Sequence, residues 1–382
     1  MVTDLMLGIQ EQYKPLVIAL CSLPCFTKQD ITKVTVINSG LSQSCFRVQV
    51  DRNEYFAKHI TSGNTEIFAN QLATQFGISP TVIYEEEEWL ITEFIHGELL
   101  QHDNISEDEQ LTVLLSLLIK CHRLPILATA ENNEQGKTEP LNAALTIPNL
   151  AIEQTISQLF QRLSQEQQRA DKTYLSLAQV NSLKEITKSA LEEVRKIRKK
   201  AGQSNDVFCH GDANFSNVIK QENSNNTSVE PHYQLIDFEC ACIAPIEYEL
   251  AMLMAVNEFQ SNKTEQITTL YSELSSLSNI EFNPYSSLKN TELNRPVNRN
   301  LQPPKTAKST IEIVDNLAGN ATDSGCIDNH LVTRYYDLSL VINALWYFCR
   351  FNQHKHKKYQ KLANKQFSLL TKHYPETSIV IK

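Results

Sequence analysis

Two short β-type runs, "NVIK" at 217–220 and "YQLID" at 233–237, stand on either side of the polar stretch "QENSNNTSVE". No other feature constrains the chain as much. Apolar runs separated by a polar joint are written as a hairpin, and closing that hairpin brings Asp237 back beside Asn217. Asp212 lies five residues before Asn217 in "FCHGDANFSN", after another β-type run and directly behind a glycine, an arrangement suited to a tight loop that aims both side chains at one point. Two carboxylates and an amide oxygen converging at strand ends make a hard-oxygen site suited to Mg2+. In such a site Asp212 would sit at a hydroxyl to be activated, while Asn217 and Asp237 hold a metal that bridges nucleotide phosphates.

The remaining composition narrows the partners. The 382 residues are 41% hydrophobic and 21% charged, which is globular make-up, and the formal net charge is -9. The longest basic run is the short "RKIRKK" at 195–200, so a surface built for nucleic acid or for a membrane is not expected, and a cationic or metal-bound partner fits better. Nine cysteines occur without a CxxC pair, Cys240 and Cys242 being the nearest two. They read as reduced, mostly buried thiols of a cytoplasmic protein. The apolar "PLVIALCSLPCF" at 15–26 follows an acidic lead-in containing Asp4, Glu11 and Lys14, so it reads as a packed helix and not as an export signal. No apolar run approaches the roughly 20 residues of a membrane span.

Along the chain a β-rich front precedes a helical back. "ITKVTVIN", "CFRVQV" and "EYFAKHI" read as a strand meander, and "TEIFANQLATQF" at 65–76 carries helical spacing and stops at Gly77. "PTVIYEEEEWLITEFIHG" returns to strands around an acidic turn. Ser106 and Glu109 form a capping box ahead of "QLTVLLSLLIKCH", and residues 151–200 read as helical. Residues 283–330 are poor in large apolar groups and read as a disordered or loosely held insertion. Trp346, Tyr347 and Phe348 stand together on a helix, where core packing is the ordinary reading for aromatics, and Glu247 and Glu249 are placed to cap a helix beginning near Tyr248.

"HGDANFSN" followed by "LIDFE" resembles the catalytic and metal-binding pair of the aminoglycoside phosphotransferase and choline kinase superfamily. The Asp-to-Asn spacing equals that of the protein-kinase loop H-R-D-L-x-x-x-N, with Gly211 in place of the arginine. The resemblance implies an α+β, two-lobed protein-kinase-like fold, with a β-rich N-terminal lobe over 1–95 and a mainly helical C-terminal lobe over 96–382 that contains the insertion. It extends to the front of the chain. "NSGLSQSCFRV" looks like the phosphate-covering turn, which places Ser42, Gln43 and Ser44 at the nucleotide without a full G-x-G-x-x-G set. Lys58 looks like the strand lysine that holds phosphates and Glu66 like its helix partner, the alternative being a plain ion pair. "WLITEFIHG" is similar to the hinge that meets adenine, which implicates Glu93 and Ile95. His210 reads as a loop brace and not as a base.

"LIDFECACIAPIEYELA" resembles the text of choline, ethanolamine and thiamine kinases more than that of the antibiotic kinases. The resemblance therefore implies an ATP- and Mg2+-dependent phosphotransferase acting on a hydroxyl of a small, cationic molecule. Glu249 and Trp346 are the expected carboxylate and aromatic face for that cation. An aminoglycoside-type kinase and a non-catalytic nucleotide-binding protein of the same fold are the alternative readings.

Overall fold

Alternation with period two builds the first lobe. Strands β1 (Ile31–Ile37), β2 (Ser44–Val50), β3 (Asn53–His59), β4 (Val82–Glu86) and β5 (Trp89–Glu93) form one antiparallel sheet in the order β1-β2-β3-β5-β4. The structure is a computed structural model. It describes residue 5 and residues 8–26, 31–37, 43–126 except 62, 64 and 87, 147–169, 175–201, 206–222, 231–281 and 327–375. On one face of the sheet Phe46, Val48, Val50, Tyr55, Ala57 and Ile91 pack against Val17 and Leu20 of helix α1 (Lys14–Cys21), which is the packed helix expected at the N-terminus. Successive strand residues point to opposite faces, so Lys58 is turned away from Ala57. It lies opposite Leu90 on the neighbouring strand, and Leu90 packs with Ile67 of helix α2 (Thr65–Gln75). The lysine and the first turn of α2, where Glu66 sits, therefore share one face. Gly77, at φ 67°, ends α2 as expected.

The second lobe is helical. Its helices are α3 (Glu107–His122), α4 (Ile152–Arg169), α5 (Leu177–Ala201), α6 (Ile246–Val256), α7 (Thr264–Glu281), α8 (Asn329–His354) and α9 (Lys357–His373). The capping box is formed: Glu109 N–H donates to Ser106 Oγ at 3.2 Å, and Ser106 N–H donates to Glu109 Oε2 at 2.8 Å. A cap of this kind is worth about 1 kcal/mol. Helix α6 is buried from Tyr248 through Ala255, so it runs through the core and is covered by α8. Two small sheets complete the lobe, β7 (Asp206–Cys209) with β10 (Cys242–Pro245), and β6 (Gly97–Leu99) with β8 (Val218–Gln221) and β9 (Tyr233–Leu235).

The hairpin read from the sequence is present. β8 and β9 pair antiparallel with Val218 opposite Leu235, and Ile236 N–H donates to the Asn217 carbonyl at 2.9 Å. β9 is also the seam to the first lobe: Leu235 N–H donates to the Ile78 carbonyl at 2.8 Å, and Gln234 Nε2 to the Ser79 carbonyl at 3.2 Å. The 151–200 stretch is helical as expected and forms two helices, α4 and α5. Most of the 283–330 segment lies outside the described residues. Its last residues do not behave as an insertion, because Asp328 accepts the His330 and Leu331 N–H groups and caps α8. Among the described residues no helix is long and apolar enough to cross a membrane, no cysteine is bonded to another, and most of the thiols are buried.

Candidate active site

The loop that carries Asp212 begins where β7 ends at Cys209, held opposite Cys242 of β10. His210 is fully buried; its Nδ1 receives the Asp212 N–H at 3.3 Å, so its Nε2 donates to the Ile236 carbonyl at 3.0 Å. The ring thus ties the loop to the end of β9 and acts as the brace expected of it. Gly211 adopts φ 78°, and a Cβ there would lie 2.1 Å from the Cys240 carbonyl oxygen. No larger residue fits, which explains why glycine stands where protein kinases carry arginine.

Asn217 completes the turn. Its Nδ2 donates to the Asp212 carbonyl at 2.9 Å and to Asp212 Oδ2 at 3.2 Å, so the side-chain oxygen is the atom that could ligate a metal. Burial pushes the Asp212 carboxyl up to about 6, and the charges of Asp237 and Glu239 push in the same direction against His210 and the Asn217 amide. A carboxylate poised there is suited to receive a hydroxyl proton.

Asp237 follows β9 in the left-handed region at φ 67°, uncommon for a residue with a Cβ. That turn aims its carboxylate across the lobes. Lys58 Nζ donates to Asp237 Oδ1 and to Glu66 Oε1, each at 2.6 Å, and lies 3.8 Å from Glu239 Oε2. Lys58 and Glu66 are both buried, so this is not a plain surface pair. Burial alone would lower the Lys58 ammonium, but Asp237 and Glu66 hold it well above its usual range. Glu66 is pushed up to about 7 by burial, against the pull of Lys58, with Asp237 and Glu239 adding to the rise. Three carboxylates share one ammonium.

Oxygens of Glu66, Asp237 and Glu239 lie within 4.8 Å of one another, and Glu66 Oε2 is buried without a hydrogen-bond partner. This all-oxygen donor set, with the Asn217 amide oxygen in the adjoining loop, fits a hard divalent ion such as Mg2+.

The other residues expected at a nucleotide are Ser42, Gln43, Ser44, Glu93 and Ile95. Ser42 lies outside the described residues. Gln43 reaches across the lobes, its Nε2 donating to Glu239 Oε2 at 3.3 Å, and Ser44 opens β2 opposite His59. Glu93 ends β5 and its carboxylate accepts the Thr81 N–H and hydroxyl at 3.1 and 3.0 Å. Beyond it, Ile95 takes part in none of the hydrogen bonds among the described residues, which leaves its backbone groups open as a hinge requires.

The structure does not bring Glu249 and Trp346 together. Glu249 is fully buried in α6 beneath the loop, where both carboxylate oxygens accept the Gly211 N–H at 3.2 and 3.3 Å and His122 Nε2 stands 3.9 Å away. Burial would raise its carboxyl, yet His122, His210 and the Gly211 N–H hold it below its ordinary value. It braces the loop from behind, a position that departs from the expected contact with an acceptor cation. Glu247, beside it, accepts the Asp328 N–H at 3.3 Å. Trp346 carries the Arg350 guanidinium over its ring at 4.9 Å and meets Tyr347 and Tyr359 edge-on. Burial raises the Tyr347 hydroxyl first, and the charge of Asp212 adds to it.

Asn257 was not legible as a site residue. Its Oδ1 accepts the Phe215 N–H at 2.9 Å and its Nδ2 donates to the Ala213 carbonyl at 2.8 Å, pinning the loop's far side. The local signal for such bracing is the pair Glu247 and Glu249 at the start of the mostly apolar α6.

The family model for choline/ethanolamine kinases matches residues 32–282. Among solved structures, the chain is similar to choline kinase LicA from Streptococcus pneumoniae at 14% identity, with 94% of this chain and 100% of that chain covered and a TM-score of 0.57. It is similar to an ethanolamine kinase from Plasmodium vivax at 15% identity, covering 99% of this chain and 95% of that one, with a TM-score of 0.54. A structure of LicA in complex with AMP aligns at 13% identity over 95% of this chain and 99% of that one, with a TM-score of 0.53. These likenesses show a shared kinase-like fold. No curated protein matched the sequence.

Proposed function

Since the chain belongs to the choline/ethanolamine kinase family, we propose that it transfers the γ-phosphoryl group of ATP to the hydroxyl of a small cationic molecule of the amino alcohol or thiamine type. The observation that supports this reading is that Asn217 Nδ2 donates to Asp212 while Lys58 joins Asp237 and Glu66 across the lobes.

Asp212 receives the proton of the acceptor hydroxyl as its oxygen bonds to the γ-phosphorus and the bond to the ADP oxygen breaks. Asn217 holds that carboxylate in place through its amide nitrogen. Lys58 turns from Asp237 toward the nucleotide phosphates, with Glu66 keeping it oriented. Asn217, Asp237 and Glu239 would hold Mg2+, which when bound supplies neutralisation of phosphate charge. Glu93 and Ile95 present backbone to adenine, and Gln43 and Ser44 close over the phosphates.

The acceptor seat is assigned to the aromatic cluster of Tyr347, Trp346 and Tyr359. Tyr347 is the candidate face, since a guanidinium already covers Trp346. Contacts of this kind supply about 0.5–2 kcal/mol when desolvated, so Tyr347→Leu raises the acceptor KM several-fold to about thirtyfold while leaving the KM for ATP unchanged.

The reading is tested by measuring ADP release from Mg-ATP with amino alcohols, thiamine, sugars and aminoglycosides as acceptors. Release that depends on a cationic alcohol supports it. Preference for a neutral sugar removes the cationic seat, and the absence of any acceptor-dependent release removes the phosphotransferase itself.

A further inference from the structure

The chain carries its charge unevenly. From Leu338 to Pro375 the sequence contains no Asp or Glu, yet it holds Arg350, Lys355, Lys357, Lys358, Lys361, Lys365 and Lys372 together with three histidines, within a chain of net charge -9. In the structure Lys357, Lys358, Lys361, Lys365 and Lys372 are exposed along α9. Lys357, Lys361, Asn364, Lys365 and Ser368 line one shallow groove on its outer face. Lys365 pairs with Glu258 at 2.7 Å. Among the described residues no carboxylate forms an ion pair with Lys357, Lys358, Lys361 or Lys372.

This arrangement works against the helix. Lys357 and Lys358 occupy the first turn of α9, where the helix dipole disfavours cations. Lys357, Lys361 and Lys365 recur at four-residue intervals, which stacks like charges on one stripe. The basic run at the end of α5 shows the contrast: Arg198, Lys199 and Lys200 stand at a helix C-terminus, where the dipole favours them, and Arg198 pairs with Asp206 at 2.8 Å. The α5 run is explained by its own helix. The α9 run is not.

Against the expectation drawn from net charge and the longest basic run, we propose that the outer face of α9 docks the protein on an anionic lipid bilayer, its lysines meeting the headgroup charges. The inner face of α9 is occupied, since Tyr359, Ala363, Phe367 and Leu370 are buried and α8 packs against the helix. The contact is therefore electrostatic, without insertion. The exposed basic groups along α9 are lysines, Arg350 lies over Trp346, and Tyr359 and Phe367 are buried, so the ridge offers neither a guanidinium fork for base edges nor rings for base stacking. From Lys357 to Lys372 the stripe runs about 22 Å, a straight edge suited to a plane. The acidic remainder of the molecule does not prevent this, because charges beyond the screening length of about 8 Å contribute little.

The test is co-sedimentation of the full chain with phosphatidylcholine vesicles, with and without about 30 % phosphatidylserine, at low and high salt. The expected result is pelleting on the anionic vesicles that falls at least about tenfold at high salt and is lost in Lys357→Glu/Lys358→Glu/Lys361→Glu. That variant also places acids in the first turn of α9, so it melts no lower than the parent, and turnover on a soluble acceptor is unchanged. Absence of pelleting at low salt overturns the proposal. So does equal pelleting on neutral vesicles, retention in the variant, or tighter binding to duplex DNA than to the anionic vesicles. Salt-sensitive self-association that the variant abolishes, without vesicle binding, overturns it in favour of an acidic surface on a second copy.

Discussion

Gly211 sets the geometry on which the rest of the candidate site depends. Its positive φ, and the 2.1 Å that would separate a Cβ from the Cys240 carbonyl oxygen, leave no room for a side chain. Gly211→Ala is therefore expected to cost at least about 2 kcal/mol of stability and to depress turnover more than it weakens nucleotide binding. Thermal melts and nucleotide titrations check this; a variant that melts like the parent would show that the loop has another conformation open to it. Asp212 gives a prediction with a sign. Its carboxyl is raised from 3.8 to about 6, so the fold disfavours the ionised form. The associated stability is fully present below the unfolded value and is lost as the pH rises through about 6. Without metal or nucleotide, Asp212→Asn should melt roughly 2–5 °C higher than the parent above neutral pH and no differently under acid conditions. Its turnover should fall by about 10^2 to 10^4 while ATP affinity is kept. Asp212, Asn217 and Asp237 were legible because a five-residue loop and one hairpin fix their relation. Glu249 was misjudged because its bond to Gly211 spans 38 residues and local text carries no trace of it.

At the scale of elements, α6 works as a buried support under the loop. Glu249 supplies two acceptor oxygens to one backbone N–H, while Asn257 holds Phe215 and Ala213 from just past the end of the helix. Glu249→Gln keeps the shape but replaces one acceptor with a donor and removes the charge that His122 faces. The expected outcome is a fall in kcat of roughly tenfold or more with little change in the KM for ATP, because the loop loses its register and the nucleotide contacts lie elsewhere. An increased KM for ATP with unchanged kcat would place Glu249 in binding and not in support. The elements themselves were mostly readable from local chemistry: period-two apolar runs gave the strands, Ser106 and Glu109 gave the start of α3, and Gly77 gave the end of α2. The break between α4 and α5 was not, since polar helical text continues through it without a strong stop. The start of α8 was missed for a related reason. Asp328 belongs to a polar stretch by composition, and only its capping bonds join it to the helix.

Across the whole molecule, one ammonium ties charged groups of the two lobes together, beside the backbone seam along β9. Lys58 comes from the sheet of the first lobe, Glu66 from α2, and Asp237 and Glu239 from the turn after β9, so the candidate metal site is itself one of the contacts between the lobes. Sequence order could suggest the Lys58–Glu66 pair but not that Asp237 joins it, because that contact spans 179 residues. Lys58→Ala should have two separable effects. Mg-ATP affinity falls, since the phosphates lose their cation. The protein without nucleotide also loses the ammonium that balances three neighbouring carboxylates, and this second effect depends on pH. In the parent, Glu66 is already raised to about 7, so its stabilising protonated form is lost as the pH rises through that value. Removing the lysine removes the attraction that opposed the rise, which pushes Glu66 further up and carries the loss to higher pH. The variant should therefore melt well below the parent near pH 8 and approach it near pH 5, where the carboxylates begin to accept protons. Divalent metal should narrow the gap at high pH by taking the place of the ammonium among the same oxygens. Melting curves across that range, with and without Mg2+, read both outcomes. A difference between variant and parent that does not change with pH would mean that Lys58 holds the lobes through packing of its alkyl chain and not through its charge.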